Sequence, residues 1–368
     1  MKIAVLVSGG VDSSVALRLL HAAGHELTAF YLKIWLEDEL AHLGACPWED
    51  DLEQVRTVCS QIGVPLEVVP LQREYHQRVV RHAVDELRAG RTPSPDIWCN
   101  RRIKFGAFFD HLATARGTGG AFDRVASGHY ALIEHGAEAR PRLLRAVDPV
   151  KDQTYFLCRL DEAQLSRLLF PLGGLPKAQV RRLAAGFGLP NRDRPDSQGI
   201  CFLGDIAYDD FVRAHLGERP GPIRDRDSGQ VLGEHRGHWF FTLGQRRGLG
   251  LPAGPWYVVN KDPCSDTVWV AQRRALPRYA AAQLIVDAPR WIGLAPAPGP
   301  VGVRVRHSPH IAAARWRRLD ASRIEIRLAH ADPGAAPGQE AVLYGGRRCL
   351  GGGTIQAVGP AAVSTTRE

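Results

Sequence analysis

A short apolar run at residues 3–7 stops at Ser8-Gly9-Gly10-Val11-Asp12-Ser13-Ser14, and a helical pattern begins there at once. This order of strand, glycine turn and helix constrains the fold more than any other feature of the chain. A run without polar alternation reads as a strand covered on both faces, the mark of a parallel sheet flanked by helices. Successive glycines let backbone N–H groups converge at the start of the helix, where the dipole and the unpaired amides favour an anion. Ser8, Ser13 and Ser14 add hydroxyl donors. No Gly-Lys-Ser or Gly-Lys-Thr follows, so the turn is not a Walker P-loop.

The alternation continues down the chain. Strands are expected at residues 27–32, 66–69 and 125–127. Helices are expected at residues 13–22, 52–62, 75–87, 102–115, 164–169, 177–187 and 208–216. The period changes at Pro220-Gly221-Pro222. Beyond it, short runs at residues 239–242, 256–259 and 268–270 read as strands, and so do residues 301–305 and 324–328, where apolar side chains alternate with arginines. A chain of 368 residues exceeds one hydrophobic core. The expected fold class is therefore α/β, in three domains. Residues 1–216 form an α/β domain with a parallel sheet, able to bind its ligand alone. Residues 217–278 form a small β domain, and residues 279–368 a β-barrel-like one.

Charge is unevenly spread. Residues 1–216 hold 26 Lys and Arg against 27 Asp and Glu, whereas residues 217–368 hold 21 against 12. The surplus suits a polyanionic partner for the C-terminal part. No stretch approaches the roughly 20 apolar residues of a membrane span, and the N-terminal apolar run is too short and too early for a signal peptide. A cytoplasmic, monomeric protein with no membrane partner is expected. Seven cysteines without a C-x-x-C pair argue against a disulfide framework and a zinc ribbon.

Several further motifs accompany the turn. They are Thr92-Pro-Ser-Pro-Asp-Ile-Trp-Cys-Asn100, Gly128-His-Tyr130, Lys151-Asp-Gln153, Asp196-Ser-Gln-Gly-Ile-Cys-Phe202, Thr242-Leu-Gly-Gln-Arg-Arg-Gly-Leu249, and Pro337-Gly-Gln339 with Cys349-Leu-Gly-Gly-Gly353. The turn resembles the pyrophosphate loop of the N-type ATP pyrophosphatases. With the other motifs, the chain resembles the tRNA-specific 2-thiouridylases nearly end to end. It departs from their pattern at Ser94, where Asn is frequent, and at Arg304-Val305, where an aromatic residue often follows the arginine.

The resemblance implies ATP-dependent 2-thiolation of the wobble uridine of tRNA. AMP activates the 2-carbonyl oxygen and sulfur comes from a protein persulfide. It implies ATP at Leu6, Val7, Ser8, Gly9, Gly10, Val11, Asp12 and Ser13, with Leu32 and Gly128 framing adenine and ribose. Mg²⁺ is expected with the nucleotide, and no residue is assigned as a resident metal ligand. It implies Cys99 as nucleophile, Cys201 as persulfide carrier, and a transient disulfide between them. It also implies tRNA contacts at Ser94, Pro95, Asp96, His129, Lys151, Asp152, Gln153, Arg304, Val305 and Gln339, and an outside sulfur donor, either a cysteine desulfurase or a sulfur relay protein.

The residues themselves leave alternatives open. Cys99 reads as preceding a helix at Arg102, among Arg101, Arg102 and Lys104, a setting that lowers a thiol pKa. Both cysteines also fit small buried hydrophobes; Cys46, Cys59, Cys158, Cys264 and Cys349 are read that way. Asp96 fits an acid or base and equally a helix cap. Asp12 fits a Mg²⁺ contact or an orienter of the loop, and His129 a buried histidine. Gly128 is small enough for close approach of a nucleotide, and a β-branched residue at Gly10 would intrude on the anion site. Other functions remain open too: an adenylating synthetase using ammonia, which needs no thiol pair, and a non-catalytic RNA-binding protein.

Overall fold

The computed structural model describes residues 1–34, 48–114, 122–135, 140–196 and 206–360; Cys46 and Cys201 lie outside them. Seven strands come from the first part of the chain: β1 (Lys2–Val7), β2 (Glu26–Lys33), β3 (Leu66–Pro70), β4 (Arg124–Ser127), β5 (Ala131–His135), β6 (Pro141–Arg145) and β7 (Leu168–Leu169). Five of them form a parallel sheet in the order β3-β2-β1-β4-β7. Alternate residues of β1 serve two cores. Ile3, Val5 and Val7 pack with helices α1 (Val11–Ala22) and α2 (Trp48–Ile62), while Ala4 and Leu6 join the opposite layer with Phe30 and Phe108. Helix α2 buries Leu52, Val55, Val58 and Cys59, the spacing of a single apolar stripe.

Two expected helices differ. Helix Glu162–Ser166 stops early, and Leu168 and Leu169 pair with Val125 and Ala126 as an edge strand of the parallel sheet. The helix expected at residues 102–115 begins at Pro95. After Cys99 it continues as a π-helix over Asn100–Ala107, interrupted at Phe105 (φ −121°, ψ 15°). Gln164 Nε2 donates to the carbonyls of Arg101 (3.2 Å) and Phe105 (2.6 Å), satisfying groups at the break.

The central unit is a four-stranded sheet of β8 (Gly221–Asp225), β9 (Val231–His235), β10 (Trp256–Asp262) and β11 (Thr267–Gln272). The strand expected at residues 239–242 begins instead as a 3-10 turn, His238–Phe240. Its residues are all buried, and Trp239 Nε1 donates to Gly217 O, so this stretch packs inward without an exposed face.

The C-terminal unit contains β12 (Ala281–Trp291), β13 (Gly299–Arg304), β14 (Ala312–Arg318), β15 (Arg323–Asp332), β16 (Glu340–Gly345) and β17 (Arg348–Gly359). Pairing of β12 with both β15 and β17 closes these six into a barrel. Its sheet does not end at the expected domain boundary. The β5–β6 hairpin of the first domain adds to it, Leu143 opposite Cys349 and Leu144 opposite Arg348. Two buried ion pairs reinforce the junction. Arg159 meets both carboxylate oxygens of Glu340 at 2.9 Å, and Arg304 Nη1 reaches Asp152 Oδ2 at 2.6 Å.

The barrel therefore completes both the sheet edge and the ion pairing of residues 1–216. Without the barrel they would carry an unpaired hairpin edge and the uncompensated charge of Arg159, and Asp152 would keep Arg145 but lose Arg304. Glu340 is fully buried, so Glu340→Leu strands the Arg159 guanidinium and is expected to cost about 3–5 kcal/mol of unfolding free energy. Urea denaturation measures this; a loss below about 1 kcal/mol would show that the junction does not depend on the pair.

Candidate functional site

Strand β1 ends beneath the mouth of a cleft of about 380 Å³. The turn lines it with Leu6, Val7, Ser8, Gly10, Val11, Asp12 and Ser13; β2 and its end supply Tyr31, Leu32 and Ile34. Ser127, Gly128, His129 and Tyr130 close one side, joined by Lys104, Lys151, Gln153 and Asp196. Gly10 caps α1 without a side-chain hydrogen bond. The first-turn amides of a helix have no intrahelical partners, and Gly10, Val11, Asp12 and Ser13, where this helix starts, all line the cleft.

The turn is braced from behind. Gly9 has φ +77°, and its carbonyl accepts from Asn191 Nδ2 (2.8 Å) and Arg194 Nη1 (3.3 Å). Arg194 also pairs with Asp51 at 2.5 Å, and a Cβ on Gly9 would meet the Asp51 carbonyl at 2.8 Å. Gly128 is needed for a similar reason. A Cβ there would lie 2.8 Å from Ser13 N and 2.9 Å from the Asp12 carbonyl carbon, so its smallness lets β4 approach the start of α1. At Gly10 a Cβ would meet only Ser8 Oγ, at 3.6 Å. The steric demand falls on Gly9 and Gly128, and the free protein has room for a side chain at Gly10, contrary to expectation.

A charge cluster stands at the mouth. Lys177 Nζ lies 2.7 Å from Asp12 Oδ1 and 2.7 Å from Asp196 Oδ1, while the Tyr130 hydroxyl donates to Asp12 at 2.8 Å. Lys151 (2.6 Å) and Arg181 (2.5 Å) also bind Asp196. Burial alone would raise the Asp196 carboxyl, but the hydrogen bonds from Lys151 and Lys177 outweigh it and hold the pKa to about 2. Two motifs clasp each other beside this cluster: Tyr130 N donates to Gln153 Oε1 and Gln153 N to Tyr130 O, both at 2.9 Å.

His129 shares a hydrogen bond with Ser127 (2.8 Å) and packs between Phe105 and Phe170. Burial, then the nearby Lys104 charge, hold its pKa well below the usual value, so it is neutral. Cys99 is 1% exposed and lies inside the helical run that begins at Pro95, at its change from α- to π-helix, rather than ahead of a helix N-terminus. Burial pushes its thiol up to about 11; Lys104 pulls down and Asp96 pushes up, both more weakly. The expected activated thiolate is thus overturned for the free protein, because desolvation outweighs the neighbouring cation. Asp96 sits in the first turn of that helix behind Pro95, and Ser94 stands at the cap position, where its carbonyl accepts from Ile97 N at 3.2 Å and its side chain makes no cap hydrogen bond.

Lys151, Gln153 and His129 line the cleft, whereas Asp152, Arg304 and Val305, also expected to touch a polyanion, are buried and Gln339 is half-buried. Asp152 is buried against Ala146 N, Thr154, Arg145 and Arg304. Arg304 is 2% exposed because Asp152 and the adjoining domain cover that face of β13. Val305 is buried as well, and Gln339 turns its Oε1 back onto Ala336 N (3.1 Å). Tyr130, Lys177, Asn191 and Arg194 were not foreseen. Asp196 and Lys104 appeared in the sequence without a cleft role. Asp12 and Lys177 are 165 residues apart, and no periodicity connects them. Among the described residues no group of three or more His, Cys, Asp or Glu could hold a metal, and no helix is long and apolar enough to cross a membrane.

Three family models tile the chain: a tRNA methyl transferase HUP domain over residues 1–205, a tRNA methyl transferase PRC-barrel domain over 209–272, and an aminomethyltransferase beta-barrel domain over 281–355. The tRNA-specific 2-thiouridylase MnmA of Verminephrobacter eiseniae is 41% identical over 96% of this chain and 98% of its own length. The protein of that name from Cupriavidus necator is 42% identical over 96% and 98%. MnmA 1 of Bacteroides thetaiotaomicron is 40% identical over 96% and 99%. Among solved structures, a 4-thiouridine synthetase–RNA complex with bound ATP is 18% identical, covering 55% of this chain and 45% of its own, at a TM-score of 0.35. With the models covering its three units and these relatives aligned along nearly their whole length, the chain belongs to the tRNA-specific 2-thiouridylase family.

Proposed function

We propose that this protein is an ATP-dependent tRNA sulfurtransferase that exchanges the 2-oxygen of the wobble uridine for sulfur. The observation that carries the reading is the uncapped glycine turn with its carboxylate–lysine cluster, sharing a cleft with Lys104 and His129, while the helix leading to Lys104 carries Asp96 and Cys99. The turn amides and Lys177 receive the phosphates, and Leu32 and Gly128 border the nucleoside. The pair Asp12 and Asp196, already bridged by an ammonium, fits a hydrated Mg²⁺ held by one or two carboxylates and phosphate oxygens. Such an ion would neutralise the departing pyrophosphate.

The uridine enters splayed from the anticodon, and its 2-carbonyl oxygen attacks the α-phosphate of ATP, releasing pyrophosphate. A carbonyl oxygen leaves poorly, whereas the same oxygen carried away on AMP leaves readily. The terminal sulfur of a Cys201 persulfide attacks C2, and AMP departs. Cys99 thiolate then attacks Cys201 Sγ; the disulfide forms and the electron pair of the broken S–S bond stays on the thiouridine sulfur. An outside dithiol reduces the disulfide, and a desulfurase or relay protein reloads Cys201. In this reading His129, which lines the cleft, and Asp96 handle the uridine edge and its proton. The surplus of arginines beyond residue 217 supplies phosphate contacts.

Nucleoside mass spectrometry of tRNA incubated with protein, ATP and a sulfur donor tests the reading: 2-thiouridine should form, and an adenylated product without sulfur would overturn it. Cys201→Ser should carry no donor-derived persulfide, and Cys99→Ser should load sulfur yet release it poorly; full thiolation by both variants would remove the cysteine mechanism. Gly9→Ala and Gly128→Ala should each weaken ATP binding at least about tenfold, since the strand-to-helix approach must open, whereas Gly10→Ala should fold as the parent does. Calorimetry with ATP decides; equal affinities for all four proteins would detach the turn from the nucleotide.

The thiol of Cys99, pushed up to about 11, predicts slow alkylation in the free protein. Its rate should rise about tenfold per pH unit between pH 7 and 10, as the thiolate fraction does. A plateau below pH 8, read by peptide mapping, would contradict the buried-thiol assignment.

A further inference from the structure

The barrel reaches back to the segment that carries Asp96 and Cys99. Thr92 N donates to the carbonyl of Pro337 at 2.8 Å. The next residue, Gly338, has φ +91°, and a Cβ on it would lie 2.8 Å from both Thr92 N and Thr92 O and 2.9 Å from Arg91 Cβ. Glycine is required there on both counts, backbone conformation and lack of space. The turn is itself fixed to the barrel wall: Gly338 N donates to Ile355 O and Ile355 N to Gln339 O, both at 2.8 Å. A second tie lies two residues further along. The Tyr155 hydroxyl stands beside the Ser94 side chain and donates to the carbonyl of Glu340 at 3.1 Å and toward that of Val305 at 3.4 Å. Glu340 in turn holds Arg159. Thr92 is thus fastened to the turn ahead of β16, and Ser94 lies beside the Tyr155 that bonds the start of that strand, immediately before the helix that begins at Pro95.

We propose that the Pro337–Gly338 turn, with Tyr155, is a positioning element for sulfur transfer: the C-terminal barrel sets where Asp96 and Cys99 stand relative to the nucleotide cleft. This rests on the assignment of Cys99 to the reaction. It gives the barrel a part in the chemical step in addition to any contact with RNA. None of these residues lines the cleft, so nucleotide binding should be indifferent to them while the chemical step is not.

The test compares Gly338→Ala and Tyr155→Phe with the parent in the full-length protein. ATP affinity and the KM for tRNA should stay within about twofold. The thiolation kcat should fall at least about tenfold in Gly338→Ala and less in Tyr155→Phe, because small misplacements of reacting groups are costly. Alkylation of Cys99 without tRNA, followed by peptide mapping, should accelerate in both as the helix loosens. If Gly338→Ala does not fold, Tyr155→Phe decides. Parental kcat and parental Cys99 alkylation in the folded variants would overturn the inference while leaving the thiolation reading intact. Full thiolation by Cys99→Ser would overturn that reading, and this inference with it.

Discussion

Everything in the cleft depends on how closely β4 approaches the first turn of α1. Gly128 permits that approach, and its substitution would press on the backbone of Asp12 and Ser13. The amides opened at Gly10, the carboxylate of Asp12, and the Tyr130 and Lys177 groups that bind it all take their places from this one contact. A helix start left without a side-chain cap is stable here because the turn behind it is held by Asn191, Arg194 and Asp51. The anion site is built from the backbone outward, with side chains adding charge at its mouth.

A second constraint joins the units. Asp152 with Arg304 and Arg159 with Glu340 place four charges where the first domain meets the barrel, each buried to within 4% exposure. Such pairs tolerate loss of one partner badly. Together with the β5–β6 hairpin on β17, they make the barrel a continuation of the domain that holds the cleft. The arginines of β14 and β15 remain available on the outer face: Arg317 and Arg327 both pair with buried Glu325 yet stay more than half exposed.

The parallel sheet, the glycine turn and the β-rich second half were legible because period and composition encode them directly. The strand at Leu168–Leu169 was not, since two residues carry no period and the preceding helix overlaps the same apolar run. Arg304 illustrates a different limit. Alternation with Val303 and Val305 correctly marks two faces of a strand, but cannot say that another domain covers the second. For Cys99, sequence neighbours show which charges are near and not how deeply the thiol is buried, and burial is the larger effect. The Asp12–Lys177–Asp196 bridge was invisible because its members come from distant parts of the chain. The cysteine motifs were legible only through resemblance.

Activation of the uridine oxygen by adenylation is the central chemical claim, and the fate of that oxygen tests it most directly. A tRNA carrying ¹⁸O at the 2-position of the wobble uridine should yield AMP with one ¹⁸O on its phosphate, in amounts equal to the 2-thiouridine formed. Release of the label into water or pyrophosphate, with unlabelled AMP, would contradict the account.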